Sequence, residues 1–242
     1  MIGAVIPQPS ATAQERGSVQ PTLQVRRVHD WALLPVKHHL DRAASQAEAG
    51  HLATDFRYTR DFRRPTACPP WVLGQEAGWR LLSPLTLTLS PIEDAQVAGE
   101  EADLAAAGRL LGMGEFWRRG EGYLATRTAS WLRLHQYRGA SGEWESMFLP
   151  NGHGSAEWHL GFAARIPEQY LLLVTSLDDG PAGLDVPTGI LTDRQVNRSW
   201  DGAGFTAAIR PTSTVRLVRG EPFARLLLLH RDSLQAKLSE AE

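Results

Sequence analysis

The chain has 242 residues, with 25 basic and 27 acidic side chains for a net charge of -2; 43% of its residues are hydrophobic and 21% charged. That balance suits a globular chain able to bury a full-sized core, and it excludes a dedicated nucleic-acid binder, which carries a basic surplus. One cysteine, Cys68, excludes an internal disulfide framework and any cysteine-cluster zinc site.

No apolar run approaches the roughly 20 residues of a membrane helix, so no membrane partner is expected. The stretch Met1 to Pro7 lacks a basic start and a long apolar run, which reads as a soluble, cytoplasmic protein. Of the basic residues only Lys37 and Lys237 are lysines. With abundant alanine, glycine and proline, this arginine bias fits a GC-rich bacterial genome and directs the expectation towards specialised metabolism.

Residues 1–24 hold Pro7, Pro9 and Pro21 without apolar periodicity and read as a mobile arm. Docking of that arm on the partner of a homodimer is the alternative. Leu40, Ala43, Ala44, Ala47 and Leu52 are spaced as one helical face. Arg57, Arg60, Arg63 and Arg64 then crowd a segment that reads as a solvated loop paired to Asp55 and Asp61. Leu85, Leu87 and Leu89 alternate with Thr86, Thr88 and Ser90, the period of a half-buried strand. Residues 92–112 read as a helical insertion, with acidic residues early, Arg109 late and Gly112 as the stop.

Beyond that point the pattern is β. Strands are expected at Tyr123–Tyr137, Trp144–Leu149, Trp158–Ile166, Tyr170–Thr175, Gly189–Val196, Phe205–Ile209, Val215–Val218 and Phe223–Leu229. The fold class is therefore mainly β: an antiparallel β-sandwich or barrel with one or two attached helices, in a single domain over 25–242. No dinucleotide fingerprint or phosphate loop occurs, so no cofactor is expected.

Three segments carry a resemblance. Cys68-Pro69 followed by Gly78-Trp79, then Trp200-Asp201 with Phe205-Thr206, then Gly220-Glu221-Pro222 resemble motifs of an uncharacterised bacterial family, the domain of unknown function 6065 family. In that family Phe-Thr usually continues Met-Asn-Trp-Lys, whereas here Ala207-Ala208-Ile209-Arg210 follow, as in a divergent member. The resemblance implies a shared fold; the family brings no established activity. The order Ile166-Pro167, Thr188-Gly189-Ile190 and Gly220-Glu221-Pro222 is similar to the β-clip layout of dUTPase-like proteins, without their catalytic and phosphate-binding motifs.

The densest polar segment is Gly152-His153-Gly154-Ser155-Ala156-Glu157-Trp158-His159. In a continuous strand His153, Glu157 and His159 share one face and make up the donor set of a two-histidine, one-carboxylate iron site. The glycines break that strand, so metal binding is not expected; the segment reads first as structural or surface, and next as a site of acid–base work by one histidine. His38, His39 and His51 read as structural, and Cys68 as an inert thiol with no helix N-terminus beside it. Of eight tryptophans, Trp79, Trp131, Trp158 and Trp200 are expected to line a cavity for a bulky apolar molecule, with Arg198 and Asp201 as further catalytic candidates.

The leading functional expectation is thus a cofactor-independent cyclase or isomerase, including pericyclase chemistry, driven by substrate folding in a shaped pocket. A non-catalytic binding or assembly protein, and a metal-dependent oxygenase using His153, His159 and Glu157, are the alternatives.

Overall fold

The structure, a computed structural model, describes residues 20–41, 43, 68–99, 103–127, 130–202 and 204–240. The segment 1–19, nearly all of the helix expected at 40–52 and the arginine cluster at 57–64 lie outside these residues. Strands dominate, and every strand pairing is antiparallel. The fold is mainly β, as the alternating pattern predicts.

One four-stranded sheet is built from β2 (Trp79–Leu82), β12 (Tyr170–Ser176), β14 (Gly189–Thr192) and β17 (Pro222–His230), in the order β14-β12-β17-β2. The second contains β9 (Phe148–Gly152), β10 (Ser155–His159), β13 (Leu184–Asp185) and β15 (Thr206–Pro211), in the order β13-β15-β10-β9. Smaller pairings join β1 (Gln24–Arg27) to β11 (Phe162–Arg165), β3 (Leu87–Leu89) to β16 (Val215–Leu217), and β7 (Gln136–Arg138) to β8 (Trp144–Ser146). A three-stranded sheet holds β4 (Asp94–Val97), β5 (Glu115–Arg119) and β6 (Gly122–Thr126). Gln24, assigned to the arm by sequence, already pairs with Arg165.

The two large sheets meet through aromatic side chains. Trp158 of β10 is 0% exposed, with its ring centroid 4.9 Å from Phe223 of β17 and 5.3 Å from Phe148 of β9. Leu172, Ala224 and Leu226 from one sheet and Ala156, Ala207 and Ile209 from the other complete the same cluster. Burying side chains of this size stabilises by roughly 1.5–3 kcal/mol each, which makes this the main adhesive of the fold. The leucine runs of β12 and β17 suit the centre of a sheet, and they pair without a break from Tyr170↔His230 to Ser176↔Ala224.

Four short helices occur among the described residues, not one or two: α1 (Pro69–Glu76), α2 (Leu104–Leu111), α3 (Ser130–Leu134) and α4 (Asp193–Arg198). The helix expected over 92–112 is only partly present. Asp94–Val97 pairs with β6 instead, and Gly99, at φ 143°, takes a backbone conformation that only glycine tolerates before α2 begins. Gly112, at φ 65°, ends α2 as predicted. The long strand expected at Tyr123–Tyr137 is divided by α3, and that expected at Gly189–Val196 turns helical at Asp193. There Thr192 and Gln195 form a capping box that satisfies the first backbone donors.

Helix α1 covers the outer face of the first sheet, held by a buried arginine. Arg225 is 9% exposed and donates to the Gly74 carbonyl (2.8 Å) and Gln75 Oε1 (3.1 Å). Gln75 in turn donates to Asp178 (2.7 Å), and Arg80, directly opposite Arg225, pairs with Asp179 at 2.9 Å. Cys68 is the N-cap of this helix, which corrects the reading that no helix start lies beside it. Between α1 and β2, Gly78 sits at φ 75°, and a Cβ there would overlap the Leu226 carbonyl oxygen. Gly78→Ala is therefore expected to lower stability by about 2 kcal/mol or more, read as a shifted urea midpoint at unchanged slope. An unchanged midpoint would mean that β2 does not enter the sheet by this turn.

Candidate functional site

Strand β10 decides where the polar candidates go. Because Trp158 and Ala156 face the core, Glu157 and His159 face the other side of the sheet. Glu157 lies half-exposed beside Arg119, 3.6 Å away. His153 does not join them: it occupies a left-handed turn at φ 54° between Gly152 and Gly154, at the far end of the strand. Gly154 and four strand residues, at ~3.3 Å per residue, separate it from His159. Among the described residues no group of three histidine, cysteine or acidic side chains is placed to hold a metal ion. The donor set of His153, Glu157 and His159 does not assemble, and the oxygenase reading falls with it.

The four tryptophans do not share a cavity either. Trp158 is solid core. Trp131 lies on α3, its indole N–H donating to the Ser90 carbonyl (3.0 Å) and its ring edge-on to Phe148. Trp79 lies under the Lys37 ammonium on β2, 4.2 Å from Nζ to the ring centroid. Trp200 follows α4 and lies beside Arg26 and Arg165. Arg198 is exposed on the last turn of α4. Of the residues singled out by sequence, Asp201 lines a cavity formed by described residues.

That cavity, about 500 Å³, is open to solvent on one side. Three elements wall it: the turn after β1 with Val28 and His29, the β7–β8 hairpin with Tyr137 to Ala140 and Glu145, and the loop after α4 with Asp201 and Gly202. The sequence puts these together for local reasons. The backbone N–H groups of Val28 and His29 both donate to the Gly161 carbonyl (2.9 and 3.0 Å), which ties the turn to the loop after β10. Gly161, at φ 70°, lets the Trp31 ring lie directly on the backbone, where a Cβ would come within 2.5 Å of it. His29 stacks on Trp31 at 5.2 Å and meets the Tyr137 ring edge-on at 5.0 Å.

Tyr137 and Glu145 are direct partners across the β7–β8 hairpin, and the Tyr137 hydroxyl donates to Glu145 Oε2 at 2.8 Å. Burial, and then that carboxylate, push the phenol well above its ordinary value, so it stays protonated. Beneath it lies His159, 8% exposed, its ring 4.9 Å from that of Tyr137 and its Nδ1 without a hydrogen-bond partner among the described residues. Burial first, and the neighbouring His29 second, lower its pKa to about 4, against a smaller opposite effect of Glu145. His159 lies behind Tyr137 and outside the cavity lining, which carries the charged side chains Arg138, Glu145 and Asp201.

Sequence reasoning passed over His29, Tyr137, Arg138 and Glu145. A signal for two of them existed, since the glycines of Gly139-Ala140-Ser141-Gly142 mark a turn, and the hairpin it closes places Tyr137 opposite Glu145.

No protein-family model matches the chain, and no curated protein matches it. Solved structures that it resembles are phage dUTPases. An Asp-to-Asn mutant of the dUTPase from phage phi11 of S. aureus is 13% identical at a TM-score of 0.36, over 91% of this chain and 95% of that one. The dUTPase of Staphylococcus bacteriophage 80alpha, with dUpNHpp, is 13% identical at a TM-score of 0.35, over 91% and 94%. A likeness of this size assigns no residue a role and no activity. Two expectations are nonetheless corrected. The similar proteins are dUTPases, one with a nucleotide analogue, and not cyclases or isomerases of bulky apolar molecules. The cavity agrees, because none of the four tryptophans lines it and charged groups ring its mouth. The expected partners, a bulky apolar molecule, no nucleic acid and a homodimer, are set aside with that reading. No described helix is long and apolar enough to cross a membrane.

The lowered pKa of His159 has a thermodynamic consequence. Unfolded, the imidazole takes up its proton near 6.5; folded, only near 4. Between those values the unfolded chain binds more protons, so this contribution is complete above about pH 6.5 and is lost as pH falls towards 4. Burial lowers His135 and His38 in the same direction. His159→Gln should flatten the stability-against-pH curve in this window by on the order of 3 kcal/mol, measured by urea unfolding at neutral and acid pH. Parallel curves for the two proteins would show that His159 is protonated in the folded state.

Proposed function

We propose that the protein binds a small planar heterocycle with N–H donors, of nucleoside size, in the cavity between the β1 turn, the β7–β8 hairpin and the loop after α4. One observation carries this reading: ring walls and carboxylates converge on one space. His29 and Tyr137 offer ring surface to a flat ligand, while Glu145 and Asp201 offer oxygens that accept N–H bonds. A volume of about 500 Å³ lies within the ordinary range for small-molecule sites. Tyr137 holds one oxygen of Glu145 and leaves the carboxylate's other oxygen for the ligand. The Arg138 guanidinium rests 5.4 Å from the Trp144 ring centroid at the same hairpin and adds a cationic edge.

The two carboxylates are also the groups able to exchange a proton with such a ligand, so an acid–base reaction on the heterocycle would run through them. The resemblance to the domain of unknown function 6065 family stays part of this proposal. In its support, the matched Trp200-Asp201 segment borders the cavity, while Gly78-Trp79 and Gly220-Glu221-Pro222 open β2 and β17.

Calorimetric titration with a panel of nucleosides, free nucleobases and aliphatic acids tests the reading. We expect binding by at least one heterocycle, weakened about tenfold or more by Glu145→Gln or Asp201→Asn, since hydrogen bonds to charged groups are worth roughly 1.5–3 kcal/mol. His29→Ala should weaken every heterocycle that binds. Preference for aliphatic acids, or affinities indifferent to all three substitutions, would sink it.

A further inference from the structure

A pair of arginines lies close along the chain to the cavity lining: Arg26 is two residues before Val28, and both arginines lie on Trp200, which precedes Asp201. Arg26 on β1 and Arg165 on β11 lie on one face of the two-stranded ribbon, because Arg165 opposes Gln24 and side chains two residues apart share a face. They are diagonal neighbours, a separation of roughly 7–8 Å along the backbone. The Trp200 ring lies against both, its centroid 5.0 Å from the Arg26 guanidinium carbon and 5.2 Å from that of Arg165. Arg26 also donates to the Trp200 carbonyl.

This position is built rather than incidental. Ser199 Oγ bonds both the N–H and the carbonyl of Ala164 (3.1 and 3.2 Å), and Asn197 bonds the N–H and carbonyl of Ile166 (2.9 and 3.2 Å). Those four bonds staple the end of α4 and the loop after it to β11. The staple presents Trp200 to the arginines and, one residue later, Asp201 to the cavity.

Two guanidiniums held against one indole repel each other, and stacking on the ring does not remove that repulsion. Among the described residues neither has a carboxylate within 4.0 Å, whereas Arg80, Arg119, Arg127, Arg133, Arg210 and Arg231 each have one. Among the described residues the arrangement has no carboxylate partner, and Trp200 at its centre is followed directly by Asp201 of the cavity lining.

We infer that Arg26, Arg165 and Trp200 form an oxyanion subsite at the cavity mouth, which takes a phosphate-class group attached to the heterocycle bound inside. This inference rests on the function proposed above and names the chemical class of the ligand: a heterocycle bearing a phosphate ester. Arginine suits that group because its planar fork donates two parallel bonds to phosphate oxygens.

The test compares nucleosides with their 5′-monophosphates, and adds inorganic pyrophosphate alone, by titration calorimetry on the full chain. The monophosphate of a bound nucleoside should bind at least tenfold tighter than the nucleoside itself. That gain should shrink to less than threefold in Arg26→Gln with Arg165→Gln, while nucleoside affinity stays unchanged. Raised salt should erode the gain in the unmutated protein, which keeps the test decisive even where the double variant folds poorly. Equal affinity for nucleoside and monophosphate, or a gain that survives both substitutions, overturns the subsite and leaves the cavity reading standing. Pyrophosphate binding lost in the double variant, with no nucleoside bound at all, keeps the subsite and overturns the cavity reading. Binding of neither probe overturns both.

Discussion

Trp158 is the side chain on which the arrangement turns. Wedged between Phe148 and Phe223, it joins the two four-stranded sheets and fixes which face of β10 is core. A strand has only two faces, so committing Trp158 inward commits Glu157 and His159 to the other side. A shift of one residue in the β10–β15 register, now Trp158↔Ala207, would expose the indole and bury Glu157. The cost of exposing so large a ring makes that slip prohibitive, and the position of His159 follows from packing it takes no part in. Being on the outer face does not leave His159 in water. The β7–β8 hairpin folds over it, with the His159 N–H bonded to the Met147 carbonyl (2.9 Å) and the Tyr137 ring above.

Small residues then let the walls of the cavity approach. Gly161 admits the Trp31 ring onto the backbone, and Trp31 supports His29. Gly204, at φ 102°, passes so close to the His159 ring that a Cβ would lie 3.4 Å from its Cε1. At Gly139 the Glu145 side chain occupies the space that a Cβ would take. Each glycine thus sits where a ring or carboxylate of the site crosses the chain, and the glycine-rich composition of these loops serves close approach as well as turning. The staple from Ser199 and Asn197 to β11 adds the third wall. The cavity is assembled from three segments: the β1 turn bonded through its backbone to the Gly161 carbonyl, the β7–β8 hairpin held by its own pairing, and the loop after α4 held by the Ser199 and Asn197 side chains.

The sheet strands were readable because period-two alternation and leucine runs suit a half-buried or central strand and little else: Leu87–Leu89, Tyr170–Ser176 and Pro222–His230 lie where the pattern puts them. Of the short helices only α2 was readable in part, since five to eight residues give too few turns for a 3.6-residue period to stand out. Local chemistry could have found two of them. Pro69-Pro70 behind Cys68 is a helix-opening signal, and Thr192-Asp-Arg-Gln195 is a capping box. Of the site, Asp201 was legible as a carboxylate beside an aromatic, and the parity of Trp158 against His159 was legible too. His29 was invisible, because its role comes from a contact with Tyr137 more than a hundred positions away. Tryptophan count misled for a related reason. A sequence shows that large rings must be buried but not whether they fill a core or line a void, and Trp131 and Trp158 do the former.

The contrast between ring surface and charge sets how the proposed site would discriminate. Burial lowers the His159 imidazole and raises the Tyr137 phenol, so the packing behind the Tyr137 wall favours the neutral form of both. The face of an aromatic ring attracts flat, polarisable partners. Selection by charge falls to the rim, where Glu145 and Asp201 favour N–H donors on one side and the guanidiniums of Arg138, Arg26 and Arg165 favour an anion on the other. Such a division separates two problems that a single charged pocket would confuse. Long-range attraction at the mouth draws an anionic ligand in, while the short-range geometry inside decides which ring stays. His159, packed behind Tyr137 and outside the lining, takes no part in that selection; its buried imidazole serves the packing of β10 beneath the hairpin.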